Sequence, residues 1–364
     1  MAALISIRVA ISVALVEIIV GAVAGNIIGP ASSSWISYLA GVGAVLLTFL
    51  AGAEIDPAVI KRRFWPSFLI GTMGFLVPFL GVLVYTRFVC GWSWPQAQIA
   101  GLALSTTSVA VVYAVMVETG YNRTETGRIV LAACFINDLG TVLALGVLFA
   151  NYNRWLVLFA AATAATMWLI PRFSPWFFRR VGNRISEPEI KFILLILCLL
   201  GGLSNAAKSE AVLPAYLVGM AMAPFFLKER VMAQRMRVIA FTLLTPFFFL
   251  KAGSLVKFGA VSASVGLILV LLGIKVITKF AGILPLTRAF RFAHREGMHI
   301  TLLMCTGLTF GSICALFGLT NGMISQDQYT MLVTAIIASA VIPTIIAQWW
   351  FEPKMTTEEE EGNA

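Results

Sequence analysis

The feature that most constrains this chain is an apolar stretch with a carboxylate at its centre. Residues 127–151, GRIVLAACFINDLGTVLALGVLFAN, are long enough to cross a bilayer as one helix, which needs roughly 20 residues. Asn137 and Asp138 lie near the middle of this stretch. An aspartate there costs about 2.5–3.5 kcal/mol even on the scale derived from insertion experiments. We therefore expect Asp138 to face the protein interior and to serve a function.

The composition indicates a polytopic membrane protein. Hydrophobic residues make up 59% of the chain and charged residues 12%, whereas a soluble domain is roughly 45–50% apolar and about 25% charged. The net charge of +9 does not require a nucleic-acid partner, because basic loops on one side of a membrane produce the same excess. The five cysteines have no metal-type spacing, and no cofactor is expected.

Apolar runs separated by Pro, Gly and charged clusters predict an all-α protein with about twelve transmembrane helices. We place them near residues 8–28, 36–53, 67–89, 96–117, 127–150, 154–171, 190–207, 211–227, 237–256, 260–285, 297–318 and 328–351. The segment 353–364 contains four consecutive glutamates and predicts a solvated acidic tail.

The distribution of basic residues predicts the orientation. If the N terminus is cytoplasmic, 19 of the 26 lysines and arginines fall in the cytoplasmic loops and termini. Cytoplasmic loops of membrane proteins carry this excess of positive charge. Both termini are therefore expected in the cytoplasm. The membrane is expected to be the plasma or inner membrane of the cell.

Two predicted helices carry polar residues near their centres. The fourth contains Ser-Thr-Thr-Ser at 105–108, and the eleventh contains TGLTFGS at 306–312. These helices are seven apart in order and would run in opposite directions, which is the pattern of an inverted-repeat transporter with a midplane site. Small polar residues also occur at ordinary helix-packing seams, so either cluster alone leaves both interpretations open.

Few ionisable residues lie deep within the predicted spans. Lys275 and Lys279 are four apart and share one helix face. A lysine and an aspartate in one dry space stabilise each other's charged forms, while burial favours the neutral forms. This competition suits a carboxylate that exchanges a proton for a cation. The alternative is a structural ion pair that joins two helices.

Other acidic residues are assigned structural roles. Glu17 is a possible second proton site, but hydrogen bonding to neighbouring helices is the preferred interpretation. Glu54 and Asp56 are expected at the cytoplasmic end of the second helix as capping or loop residues, and Lys208 and Glu210 as a surface pair.

Enzyme signatures are not found in the sequence. It contains no HExxH, GxSxG or Walker motif, and its two histidines, His294 and His299, are five residues apart and not on one helix face. Neither an enzyme nor a metal site is expected.

Four segments in order resemble the cation:proton antiporter-2 family, which includes the Kef-type and Nap-type proteins. They are FLAGAEID at 49–56, FIND at 135–138, LPAYLVG at 213–219 and KFAG at 279–282, together with the polar fourth helix. The resemblance covers nearly the whole chain. It implies a sodium or potassium/proton antiporter that works by alternating access and forms a homodimer.

The resemblance also implies a domain division and roles for single residues. A mobile core would comprise about 67–150 and 260–351, a dimer scaffold about 8–53 and 190–256, and a linker helix 154–171. The fourth and eleventh helices would unwind and cross beside the aspartate. Asp138 would bind cation or proton with Asn137, Thr106 and Thr107. Lys279, with Lys275 one turn away, would compensate charge, either at the two facing half-helix ends or by pairing with Asp138 when no cation is bound.

Three departures from the family are expected to matter. Asn137 stands where electrogenic members have a second aspartate, and Thr309 stands where Kef-type proteins have a glutamate, so Thr309 is a possible secondary site residue. Many relatives also have an additional N-terminal helix. The alternatives to antiport are an organic-anion symporter on a similar fold and a membrane-embedded enzyme or sensor.

Overall fold

The computed structural model describes residues 13–29, 33–53, 63–118, 121, 124–149, 154–182, 184, 186–207 and 211–351. Within them the chain forms these helices: α1 Val13–Ile27, α2 Ser34–Ala53, α3 Phe64–Val84, α4 Trp94–Ser105, α5 Val109–Glu118, α6 Glu125–Leu148, α7 Arg154–Val181, α8 Pro188–Ala206, α9 Val212–Lys228, α10 Arg230–Ile239, α11 Thr245–Ser254, α12 Phe258–Ala263, α13 Val265–Ala289, α14 His294–Met304, α15 Thr309–Thr320 and α16 Gln326–Phe351. Two π-helical turns, Tyr85–Val89 and Ala240–Leu244, extend α3 and connect α10 to α11.

The described helices account for the twelve spans that the sequence predicts. Nine stretches among them are long and apolar enough to cross a membrane, by length and composition. The shorter apolar helices α1 and α9 and the interrupted pair α4 and α5 supply the remaining three positions. The all-helical fold class is confirmed. Residues 8–12 of the predicted first helix and the predicted acidic tail lie outside the described residues.

The sixth span is longer than the sequence predicts. The prediction ended it at residue 171, yet α7 continues to Val181 and contains Pro171 and Pro175, each of which removes a helix hydrogen bond. Aromatic packing favours the continuation. The ring of Phe177 lies 4.9 Å from that of Phe192, and the ring of Phe178 lies 5.0 Å from that of Phe225. Each such pair contributes about 0.5–1.5 kcal/mol beyond the area that it buries, which favours the longer helix.

The second half of the chain repeats the first with an offset of 200 residues. Helices α4 and α14 begin at residues 94 and 294, and helices α5 and α15 begin at 109 and 309. Each of these two helices, α4 and α14, is also preceded by a residue whose backbone N–H donates a hydrogen bond to a side chain three positions later: Ser93 to Gln96, and Ala293 to Glu296. Sequence identity between the two halves does not show this internal repeat, but the equivalent starting positions of the helices do.

Contacts divide the chain into two compact units. One contains the described residues within 1–31, 59–141 and 249–364, and the other those within 32–58 and 142–248. The first unit has a hydrophobic core that includes Ile70, Val130, Ile283 and Leu303. The core of the second includes Phe49, Leu197, Val218 and Met222. The mobile-core and dimer-scaffold division stays a prediction.

Each unit contains a helix pair held at very short range by glycine. In the first unit, α1 packs on α11, where Gly253 lies against the backbone of Ile18. In the second, α2 packs on α9, where Gly219 lies against the backbone of Phe49 and Gly52 against that of Tyr216. Small residues let helix backbones approach in this way. The two pairs correspond when the repeats are exchanged, since α1 and α9 are the first helices of their repeats.

We expect Gly219→Ala to destabilise the protein strongly. A Cβ at this position would overlap the Phe49 carbonyl oxygen, so α2 and α9 would have to separate, at about 1–3 kcal/mol for overpacking. The measurement is the thermal midpoint of the purified protein in detergent. Gly202→Ala in α8 is the matched control, because a Cβ there meets no atom within 4 Å and alanine favours the helix by about 1 kcal/mol. Equal midpoints for the two variants would contradict this packing.

Candidate functional site

The two interrupted spans break where their polar clusters lie, and the breaks meet. Helix α4 ends at Ser105, and Thr106 leaves it with extended backbone angles of φ −65° and ψ 155°. Helix α14 ends at Met304, and α15 begins at Thr309. The Ser108 N–H donates a hydrogen bond of 2.7 Å to the carbonyl oxygen of Thr306. The two breaks are thus joined directly through the main chain.

Hydroxyl side chains satisfy the carbonyls that the breaks leave free. Thr106 donates to the Ala103 oxygen at 3.1 Å, and Thr306 donates to the Leu303 oxygen at 2.7 Å. Serine and threonine compete with the backbone in this way, and so favour helix ends over helix interiors. Gly307 has no room for a side chain, because a Cβ there would approach Thr106 and the Lys275 ammonium. These residue types explain why both spans break here.

Thr107 connects three elements at the crossing. Its N–H donates to Asn137 Oδ1 on α6 at 3.1 Å. Its hydroxyl donates to the Met304 carbonyl oxygen at 2.8 Å and accepts a hydrogen bond of 2.9 Å from Lys279 Nζ on α13. Thr107, Asn137 and Lys279 are all fully buried. The sequence-predicted residues Asn137, Thr107 and Lys279 therefore form one connected hydrogen-bond network.

Asp138 is buried beside this network without taking part in it. It is 1% exposed, and its Oδ1 has no hydrogen-bond partner among the described residues. Neighbouring Asn137 is held at both ends of its amide, because its Nδ2 also donates to the Ser105 carbonyl oxygen at 3.4 Å. Asn137 thus fixes α6 against the break while the Asp138 carboxylate remains available. A buried carboxylate without partners is costly unless a proton or a cation neutralises it.

The two lysines bind hydroxyl groups and not the aspartate. The ion pairs found among the described residues, Arg63–Glu125 and Arg235–Glu187, do not include Asp138. Lys279 lies near enough to Asp138 to interact with it electrostatically. Lys275 donates instead to Ser339 Oγ on α16 at 2.9 Å.

The position of the lysines has an electrostatic reason. Helices α4 and α14 both end at the crossing, and the C-terminal end of a helix carries partial negative charge. The Lys279 ammonium reaches the end of α14 through Thr107, and the Lys275 ammonium lies against Gly307 just beyond that end. Two buried lysine side chains thus lie where helix dipoles favour a positive charge.

The remaining predicted residues lie apart from this network. Glu17 on α1 is 7% exposed, and no hydrogen bond or ion pair joins it to Asp138 or to either lysine. Thr309 is half-buried and begins α15 on the far side of the break. His299 is fully buried, with Nδ1 3.2 Å from the Ala347 carbonyl oxygen. Glu54, Asp56, Lys208 and Glu210 lie outside the described residues.

Metal-type clusters are not found in the part of the chain that the structure describes. No group of three His, Cys, Asp or Glu side chains there could hold a metal ion. Oxygen atoms are plentiful at the crossing, and they include the Asp138 carboxylate, the hydroxyls of Thr106 and Ser108, and carbonyls at the helix ends. Oxygen donors suit hard cations.

Sequence reasoning missed several residues of the site. Ser339, the partner of Lys275, is a lone serine in an apolar helix, and such a serine has the same pattern at any packing seam. Ser108 belongs to the polar cluster but was given no role, although its buried Oγ lacks a hydrogen-bond partner among the described residues. The contact of Cys134 with Met304, 3.5 Å between sulfurs, has no signal in the sequence.

Comparison with known proteins gives consistent matches over nearly the whole chain. Residues 1–352 match the family described as "Sodium/hydrogen exchanger, transmembrane". The chain is 26% identical over 349 residues to the Na(+)/H(+)-K(+) antiporter GerN of Bacillus cereus, covering 91% of this chain and 89% of that protein. It is 24% identical over 349 residues to the Probable Na(+)/H(+) antiporter 3 of Methanocaldococcus jannaschii, with the same two coverages.

A solved structure has the same fold. The sodium proton antiporter MjNhaP1 from Methanocaldococcus jannaschii superimposes with a TM-score of 0.73, covering 97% of this chain and 95% of that chain. The sequence identity is 14%, so this likeness concerns the fold alone. It agrees with the predicted inverted-repeat architecture with two interrupted, crossing helices.

Proposed function

The chain belongs to the sodium/hydrogen exchanger family, and from this premise we propose that Asp138 is the residue at which it exchanges a monovalent cation for a proton. Cation/proton antiport across a membrane is its activity. The observation that supports Asp138 as the site is its burial at a crossing of broken helices, with a carboxylate oxygen that lacks a hydrogen-bond partner among the described residues. Such a carboxylate takes a proton or a cation in turn, because each neutralises it.

The transported cation is Na⁺ or K⁺, and oxygen atoms at the crossing complete its shell. Asp138 supplies the charged ligand, and Thr106 with helix-end carbonyls supplies neutral ones. We add Ser108, whose buried hydroxyl has no other partner among the described residues. The Thr107 hydroxyl already binds Met304 and Lys279. It has one lone pair left, so the cation can bind Thr107 while Lys279 stays bonded to it.

These contacts favour cation/proton antiport over catalysis and over symport of an organic anion. An organic anion would need a free basic group, but Lys275 and Lys279 are each bonded to a hydroxyl and lie against helix ends. The order of the four quoted segments favours membership of the antiporter-2 group, with Kef-type and Nap-type proteins. We propose that the chain is no enzyme and works by alternating access.

We propose that the protein lies in the plasma or inner membrane and forms a homodimer there. Helix α7 exposes Trp155, Trp168 and Trp176 at 46%, 60% and 53%. Tryptophans of this kind concentrate at the two membrane–water interfaces, which fits a long helix that faces lipid. The homodimer rests on the family resemblance, which places the dimer contact on the scaffold helices.

The experiment that tests the function uses everted membrane vesicles from a host without antiporters of its own. Dissipation of a respiration-driven pH gradient is measured after addition of Na⁺, K⁺ or Li⁺. We expect at least one of these cations to dissipate the gradient in vesicles that contain the chain and none to do so in empty vesicles. Equal responses in both would contradict the proposal.

The proposed orientation predicts which side of the membrane reaches each loop. Single cysteines placed next to Arg180 and Arg235 should react with an impermeant thiol reagent only from the cytoplasm, and one at Ser33 only from outside. The reason is the excess of basic residues on the side assigned to the cytoplasm. Labelling is measured in intact cells and in everted vesicles, in a background from which the exposed Cys198 is removed. The reverse pattern would show that the assignment is inverted.

A further inference from the structure

Two sulfur atoms lie next to each other beside the proposed cation site. Cys134 Sγ is 3.5 Å from Met304 Sδ, and neither residue has exposed surface. Cys134 lies on α6 four residues before Asp138, and Met304 is the last residue of α14. Residues four apart share a helix face, so the thiol and the carboxylate point to the same side of α6. Cys134 also interacts electrostatically with Asp138.

We propose that Cys134 and Met304 form a binding site for a soft monovalent cation, Cu⁺ or Ag⁺, with the Asp138 carboxylate as the third ligand. Thiolate and thioether sulfur select such ions, whereas carboxylate and carbonyl oxygen suit hard ones. The site therefore differs in preference from the oxygen shell that serves Na⁺ or K⁺, although it shares one ligand with it. The free Oδ1 of Asp138 makes the third bond available without breaking a hydrogen bond.

Binding exchanges a proton for the metal. The S–H bond of Cys134 breaks, an S–metal bond forms, and the proton leaves to water, since Asp138 is occupied as a ligand. No electron is transferred, and one positive charge replaces another, so the buried site gains no net charge when the proton departs to water. This is favourable, because an additional uncompensated charge in a dry interior is expensive.

Occupation of this site should inhibit exchange, a consequence that rests on the proposed function. A metal ion held by Cys134 and Met304 joins α6 to the end of α14. It also occupies the carboxylate that has to alternate between cation and proton. Exchange should therefore stop when the soft ion is bound, even in excess Na⁺.

Cys305 provides a matched control in the next residue along the chain. It is equally buried, but its Sγ donates to the Thr301 carbonyl oxygen at 3.2 Å. Its charged neighbours are Lys275 and Lys279, whereas those of Cys134 are Asp138 and Lys279, so the carboxylate distinguishes the two thiols. Cys305 thus has the same thiol chemistry and burial, but its thiol bonds a carbonyl oxygen where that of Cys134 contacts the Met304 sulfur, and no carboxylate is among its charged neighbours in the described part of the chain.

The test uses silver nitrate with the purified full chain in chloride-free buffer. Bound silver per chain is measured by mass spectrometry after desalting against a competing thiol, and the thermal midpoint is followed in parallel. Compared with wild type, Cys134→Ala should lose about one tightly bound silver and the rise in midpoint. Met304→Leu, which conserves volume, should weaken binding at least tenfold, and Cys305→Ala should match wild type. Unchanged silver in Cys134→Ala, or an equal loss in Cys305→Ala, would overturn the site.

Asp138→Asn separates this inference from the proposed function. If Asp138→Asn still exchanges ions but silver binding depends on Cys134, the proposed function fails and the sulfur site stands. If Asp138→Asn is inactive and silver binding does not depend on Cys134, the sulfur site fails alone. Transport and silver content are measured on the same preparations.

Discussion

Asp138→Asn is expected to abolish cation/proton exchange while the protein still folds. Asparagine has nearly the same shape as aspartate, but its side chain cannot take up a proton or supply a negative charge to a cation. Because Asp138 is 1% exposed and its Oδ1 has no hydrogen-bond partner among the described residues, its removal breaks no hydrogen bond to that oxygen. The exchange rate in proteoliposomes should fall to that of empty vesicles, and the thermal midpoint should stay the same or rise.

Glu17→Gln is the matched control for this experiment. Glu17 is also a buried carboxylate within an apolar helix, at 7% exposure, but no hydrogen bond joins it to the crossing. It should retain most of the exchange rate. A well-folded Asp138→Asn protein that exchanges at the wild-type rate would refute the assignment, whereas loss of exchange in Glu17→Gln would show that a second carboxylate takes part.

Lys279→Ala is expected to reduce exchange much more than Lys275→Ala. Lys279 Nζ binds Thr107 at the crossing and interacts electrostatically with Asp138, whereas Lys275 binds Ser339 on α16. A hydrogen bond to a charged group contributes roughly 1.5–3 kcal/mol, which corresponds to a change of about tenfold to hundredfold in rate. Loss of the nearby positive charge also disfavours the ionised carboxylate. The pH at half-maximal exchange should therefore move upward for Lys279→Ala.

The measurement is the exchange rate of both variants in proteoliposomes over a range of about pH 6 to pH 9. Lys275→Ala serves as the control, because it removes an equally buried lysine from the same helix face. Lys279→Arg, which keeps the charge, should recover part of the rate. A larger loss in Lys275→Ala would mean that the lysine that acts on the site lies one turn earlier.

Much of the fold followed from the sequence because the membrane restricts the possibilities. Backbone groups in lipid must be paired within a helix, so apolar runs predict helices directly, and small polar residues inside such runs indicate breaks. The breaks after Ser105 and Met304 lie within or next to the two clusters predicted from Ser, Thr and Gly. The length of α7 was predicted wrongly, since the contribution of Phe177 and Phe178 depends on partners distant in sequence.

The sequence predicted which residue types would meet at the crossing but not how they would pair. Asp138, Lys275 and Lys279 stand out because ionisable residues are rare in spans. Which group each lysine binds depends on where α5 and α16 pass, and the sequence places neither at the accuracy of a hydrogen bond. The sequence left two roles open for Lys279, at the half-helix ends or paired with Asp138, and it could not predict that the lysines bind the hydroxyls of Thr107 and Ser339.

The bond from the Ser108 N–H to the Thr306 carbonyl oxygen has a consequence for how such a site can evolve. Both atoms belong to the main chain, so substitutions of the side chains around them leave the link between the two breaks in place, with proline at position 108 as the exception because it lacks an N–H. Side chains that set ion preference can therefore diverge among descendants while the crossing persists. A site built in this way can acquire a new selectivity without first passing through an unfolded ancestor.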